Sequence, residues 1–120
     1  MNAIEKYKTA TVSTSNTTTQ MIFIYDELTK LLLQAQKAIE DKAYETKFKN
    51  LAKVIEVFYI LKSGLPQDSS DEAIKIMDNF YGATINILEN ANMKGESPEE
   101  IQPAIDAIKD IKTSLSSLKE

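Results

Sequence analysis

The side chains able to do chemistry in this chain are carboxylates, lysines and tyrosines, because histidine and cysteine are both absent. Eighteen Asp and Glu residues invite comparison with the carboxylate metal sites of helical bundles, which take Glu from two helices and Glu-x-x-His from the other two. Without His that ligand set cannot be completed, and the acidic residues fall mainly between apolar stripes, as solvated faces do. A phosphotransfer histidine is missing for the same reason. No thiolate is available, and no Ser has a plausible base partner. The glycines stand singly at 64, 82 and 95 and form no phosphate-cradling loop; Gly64 and Gly95 read as helix punctuation, and Gly82 as a point of close helix packing. The sequence thus predicts no catalytic residue, no metal and no cofactor.

Charge narrows the partners. Fourteen Lys against eighteen Asp and Glu give a net charge of −4, the wrong sign for condensing on a phosphate backbone or an anionic lipid surface. None of the basic residues is Arg, so no planar guanidinium fork is on hand for phosphate or carboxylate. The N-terminal MNAIEKYKTA lacks the apolar core of a secretory signal, and the most apolar stretch, 21–33, is interrupted by Asp26, Glu27 and Lys30. The expectation is a cytosolic protein with neither nucleic acid nor membrane insertion.

The elements that would position any site are legible from periodicity. Met21, Tyr25, Leu28, Leu32, Ala35 and Ile39 recur at steps of four and three, one face of a helix over about 17–42. Phe48, Leu51, Ile55, Phe58, Leu61 and Leu65 repeat the spacing over about 44–63, where Gly64 and Pro66 end it. Ser69 and Glu72 match a capping box for a third helix over about 70–92, with Ile74, Met77, Tyr81, Thr84, Leu88 and Ala91 in register. Ser97 and Pro98 open a fourth over about 98–118, carrying Ile101, Ile105, Ile108, Ile111 and Leu115. Pro103 removes a backbone donor there, so a kink or split start is expected. Short loops make sequence neighbours antiparallel, and a chain of this length buries roughly two-thirds of its unfolded surface. The fold class expected is all-α, an antiparallel up-and-down four-helix bundle over 17–120. Residues 1–16 show no periodicity and form a flexible N-terminal tail.

The second and third helices are apolar over more than one face. The second reads VIEVFYIL almost without a polar break, and the third carries Ala73, Ile76, Phe80, Ala83 and Ile87 beside its main stripe. A bundle helix ordinarily needs one apolar face a little over 100° wide. Two readings remain open: deeper burial or a homo-oligomeric contact, and a groove that receives an apolar helix of another chain. Val54, Val57, Phe58, Ile76, Phe80 and Ile87 are the candidate groove residues. Ile4, Tyr7 and Val12, on a tail with no bundle face of its own, are candidates for a lid over it.

Several landmarks at the chain's start and end fall into a known pattern. Tyr7, Val12 and Thr14 precede Ile24-Tyr25-Asp26, and Tyr81, Leu88, Ala91 and Asn92 lie near the end of the third helix. This spacing resembles Y-x4-V-x-T followed by L-Y-[DN], and later Y-x6-L-x-x-A-N, of the bacterial flagellar secretion chaperone family FliS. Ser15, Asn16, Thr17 and Gln20 depart from the family's usual A, S, P and L, and helix four lacks its common Trp. The resemblance implies a cytoplasmic, non-enzymatic export chaperone built as a helical bundle. Its partner would be the disordered C-terminal segment of flagellin, kept from premature polymerisation and competent for export, with other flagellar proteins as further candidates. The hydroxyl-rich lead TVSTSNTTT would then be a weakly structured tail that yields to the client.

Overall fold

The computed structural model describes residues 17–118, so Ile4, Tyr7, Val12 and Thr14 lie outside the described residues. Among the described residues there are four α-helices: α1 (Thr17–Glu40), α2 (Tyr44–Ser63), α3 (Glu72–Lys94) and α4 (Gln102–Leu118). A 3-10 turn, Pro98–Glu100, precedes α4. No strand occurs among the described residues.

Long-range side-chain bonds give the topology. Asn50, early in α2, reaches Gln34, late in α1. Lys62, at the end of α2, holds Asp78 near the start of α3, while Lys47 reaches the end of α3. Gln36 donates to Gln102, and Asp26 pairs with Lys112, which runs α4 antiparallel to α1. The helices therefore alternate in direction around a ring, α1 against α2 and α4, and α3 against α2 and α4. This is the expected antiparallel four-helix bundle.

Helices α1, α3 and α4 bury much of the face their periodicity set, whereas on α2 the buried stripe is Leu51, Val54, Phe58 and Leu61, and the expected Phe48 and Ile55 fall outside it. Tyr25, Leu28, Leu32, Ala35 and Ile39 of α1 are buried, as are Tyr81, Thr84, Leu88 and Ala91 of α3 and Ile101, Ile105 and Ile108 of α4. Tyr25 and Tyr81 meet hydroxyl to hydroxyl at 2.7 Å inside this core. Around them Phe58 and Phe80 stack edge-on, with ring centroids 5.9 Å apart and planes at 87°.

The structure departs from the sequence reading at three helix ends and at one interior glycine. First, α1 stops at Glu40, because Lys42 adopts the left-handed conformation at φ 58°. The Ala43 amide then donates to the Ala38 carbonyl at 2.7 Å and the Lys42 amide to that of Ile39 at 3.0 Å, the paired bonds of a Schellman ending. Second, α3 is capped by Asp71, which accepts from the Ala73 amide at 2.9 Å, and Ser69 instead accepts from the Asp71 amide. A carboxylate at that position satisfies an orphan donor and also faces the positive end of the helix dipole, so it displaces the expected Ser69 box. Third, Ser97 caps the 3-10 turn rather than the helix proper, and Pro103 falls in the first turn of α4, where a missing amide breaks no intrahelical bond. The split start is present, without an interior break. Fourth, a Cβ built on Gly82 would meet only the Lys62 Cε, at an ordinary 3.5 Å, so close packing does not require glycine there. Gly95 does need it: a Cβ there would overlap the Ala91 carbonyl oxygen.

Candidate protein-docking groove

Along the outer seam of α2 and α3 runs a groove of about 730 Å³. One wall is Phe48, Ala52, Ile55 and Tyr59 of α2, at steps of four, three and four, hence one continuous ridge. The other is Asn86, Glu89, Asn90 and Met93 of α3. Phe48 is 58% exposed and Met93 77% exposed, large apolar surfaces that the bundle itself leaves in water. Smaller depressions continue the groove at both ends, one sharing Tyr59 and running to Gln67, the other sharing Phe48 and Met93 and running to Tyr44 and Glu96. The whole seam follows the 20 residues of α2, about 30 Å at 1.5 Å per residue.

The polar side chains of the lining are Tyr59, the amides Asn86, Asn90 and Asn92, and the carboxylates Glu56 and Glu89, so the only formal charges there are negative. Tyr59 crosses the groove to donate its hydroxyl to Glu89 at 2.9 Å. That hydrogen bond, with some desolvation and the carboxylate's charge, raises the Tyr59 hydroxyl above its ordinary value of 10.0. Glu56 stands on the solvent side of α2, and no lysine lines the central groove. The Asn92 side-chain oxygen, also at the lining, is buried without a hydrogen-bond partner. At the Tyr44 end, Lys47 is buried with its ammonium donating to the Ala91 and Gly95 carbonyls, each at 3.2 Å, and to Asn92 at 3.4 Å. It thereby ties the start of α2 to the carbonyls exposed where α3 ends.

The residues expected to form a groove are mostly elsewhere. Val54, Val57 and Phe58 are fully buried, a correction with a simple cause: they share a helical face with Leu51 and Leu61 and point into the bundle. Phe80 and Ile87 are half-buried against the core, Phe80 packing edge-on to Tyr25 at 6.3 Å. Of the six, only Ile76 is open, at 55% exposure, on the flank of α3 away from α2. Phe48, by contrast, was expected in the core and lines the groove. Two parallel stripes run along α2, 47-51-54-58-61 and 48-52-55-59, and the periodicity of the second was the signal available for finding it.

The motif positions are structural. Ile24, Tyr25, Tyr81, Leu88 and Ala91 are buried, Asp26 is an exposed partner of Lys112, and Asn92 lies half-buried beside the groove. Among the described residues no cluster of Asp and Glu could hold a metal ion, and no helix is long and apolar enough to cross a membrane.

A family model described as Flagellar protein FliS matches residues 1–119, nearly the whole chain. The chain belongs to the FliS family. No curated protein matches it. FliS proteins are flagellar export chaperones with flagellin as their partner, and an apolar groove beside a helical core is in keeping with such work. For this FliS chain the motif tyrosines Tyr25 and Tyr81 are core residues, and the groove is lined by other positions.

Proposed function

We propose that this protein holds the C-terminal segment of flagellin in the cytoplasm, preventing premature polymerisation and keeping the segment competent for export. The observation that carries the reading is the α2–α3 groove, an exposed apolar channel long enough for five helical turns on a chain of the FliS family. Burial of client side chains against Phe48, Ile55 and Met93 would supply the affinity, less an ordering cost of about 2–5 kcal/mol for a segment that folds as it binds. No bond is made or broken. Ile76, Phe80 and Ile87 would add a second, shallower contact on the other flank of α3, and other flagellar proteins are further partners of the same type.

The start of α1 lies level with the start of α3, where Tyr25 meets Tyr81, and Ile76 stands exposed near that end of α3. Ile4, Tyr7 and Val12 would cover that flank until the client arrives. Size-exclusion chromatography with light scattering, with and without a flagellin C-terminal peptide, tests the main reading: a one-to-one complex is expected, and a constitutive dimer indifferent to the peptide overturns it. Deleting residues 1–12 should raise client affinity with helicity unchanged. Loss of helicity on deletion would make the tail part of the core.

A further inference from the structure

We infer that the α2–α3 groove selects its occupant by charge and by conformation: it takes an amphipathic helix of about five turns carrying Lys or Arg beside its apolar face. The inference rests on the client reading and specifies the chemistry of the segment that the groove accepts.

Conformation follows from the walls. The backbone groups of α2 and α3 along the groove are spent in their own helices, leaving no row of free donors and acceptors for an extended strand to pair with. Strand addition is thereby excluded, and an occupant that folds as a helix satisfies its own backbone while it buries its apolar face. The ridge of Phe48, Ala52, Ile55 and Tyr59, rising at steps of four and three, is the kind that interdigitates with a second helix.

Charge follows from Glu89. Its carboxylate lies half-buried in the lining and accepts one hydrogen bond, from Tyr59. Among the described residues neither Glu89 nor Glu56 stands in an ion pair. A helix laid over Glu89 removes that carboxylate from water, which is unfavourable unless the helix brings a cation. No lysine in the central groove can do so. An occupant with a neutral or acidic flank leaves the half-buried Glu89 carboxylate uncompensated, and one with a basic flank pairs it, with the exposed Glu56 of the same lining adding attraction for a cation.

The test uses the full chain and three probes: a flagellin C-terminal peptide, and two designed helical 20-residue peptides with one apolar face, identical except for Lys or Glu on the flank. Calorimetry on the wild type should show the Lys probe binding more tightly than the Glu probe, with an affinity that falls as salt is raised. Glu56→Gln with Glu89→Gln should weaken the Lys probe by roughly two- to thirtyfold, the range of two partly exposed ion pairs, and flatten its salt dependence. Ala52→Trp, at an exposed position, should fill the groove and abolish binding while circular dichroism stays unchanged. Equal binding of the Lys and Glu probes, or indifference to Ala52→Trp, would overturn the inference. If the flagellin peptide fails to bind while the Lys probe binds as described, the groove stands and the client reading falls. If the flagellin peptide binds and neither the tryptophan nor the glutamines alter it, the client reading stands and this inference falls.

Discussion

Tyr25 and Tyr81, 56 residues apart in sequence, share a hydroxyl–hydroxyl hydrogen bond of 2.7 Å in the interior of the bundle. A polar bond among apolar side chains restrains the relative height of α1 and α3, which hydrophobic contact alone leaves free to slide. Tyr25→Phe and Tyr81→Phe are each expected to lower stability by about 1 kcal/mol, the net worth of a typical buried bond. The double substitution should cost less than the sum, because both singles remove the same bond. Urea denaturation of the four proteins checks this, and strict additivity would separate the two hydroxyls.

The buried ammonium of Lys47 has three carbonyl partners at the end of α3. Lys47→Met keeps the stem and deletes the donors, so a loss of about 1.5–3 kcal/mol is expected, the range for hydrogen bonds to a charged group. Lys53→Met, on the exposed side of the same helix, should change stability by no more than about 0.5 kcal/mol. Comparing their denaturation midpoints isolates the contribution of the cap.

Gly82 lies within α3 with room for a methyl group beside the Lys62 stem. Gly82→Ala should therefore stabilise the protein by about 0.5–1 kcal/mol through helix propensity and a less flexible unfolded chain. Gly95→Ala, where the added carbon meets a backbone oxygen, should destabilise it. Thermal melts of the two variants are expected to shift in opposite directions.

Tyr59 titrates above its ordinary value because its hydroxyl donates to Glu89. Unfolding removes that bond and returns the group to about 10. The contact's contribution is thus fully present below pH 10 and is lost as pH rises through the higher folded value. The stability gap between wild type and Glu89→Gln should be constant from neutral pH to about 9 and close above about 10. Carbon NMR of labelled tyrosine should show Tyr59 ionising earlier in Glu89→Gln.

Periodicity located the helices because burial acts on whole faces: once Tyr25, Leu28 and Leu32 fall on one stripe, the inward direction of α1 is settled. Ends are decided by one or two atoms, and there the sequence misled. Lys42 ends α1 in a conformation usually left to glycine or asparagine, so no residue type announced it. Asp71 took the cap from Ser69, accepting from the Ala73 amide while Ser69 accepts from the Asp71 amide two residues earlier, so two capping residue types in close succession left the start of α3 ambiguous in the sequence. The groove was harder to read for a different reason. Apolar breadth on α2 was visible, but Val54 and Ile55 are adjacent in sequence and only 100° apart on the helix, and which of them faces inward depends on where α3 lies. The fourfold ring, not the helix, assigns one stripe to the core and its neighbour to the groove.

The ring closes only when α4 reaches α1, and Gln36 holds the entry to α4 by donating to the Pro98 carbonyl at 3.0 Å across 62 residues of sequence. At roughly 5–20 residues per second of synthesis, a newly made α1 waits several seconds on the ribosome for that neighbour. For that interval a three-helix chain leaves uncovered the side of α1 that α4 will take, and it can be met by any apolar segment nearby. A chaperone that must not trap its own unfinished copies gains from a final helix whose entry is shaped in advance, and the Ser97-capped turn before α4 supplies that shape.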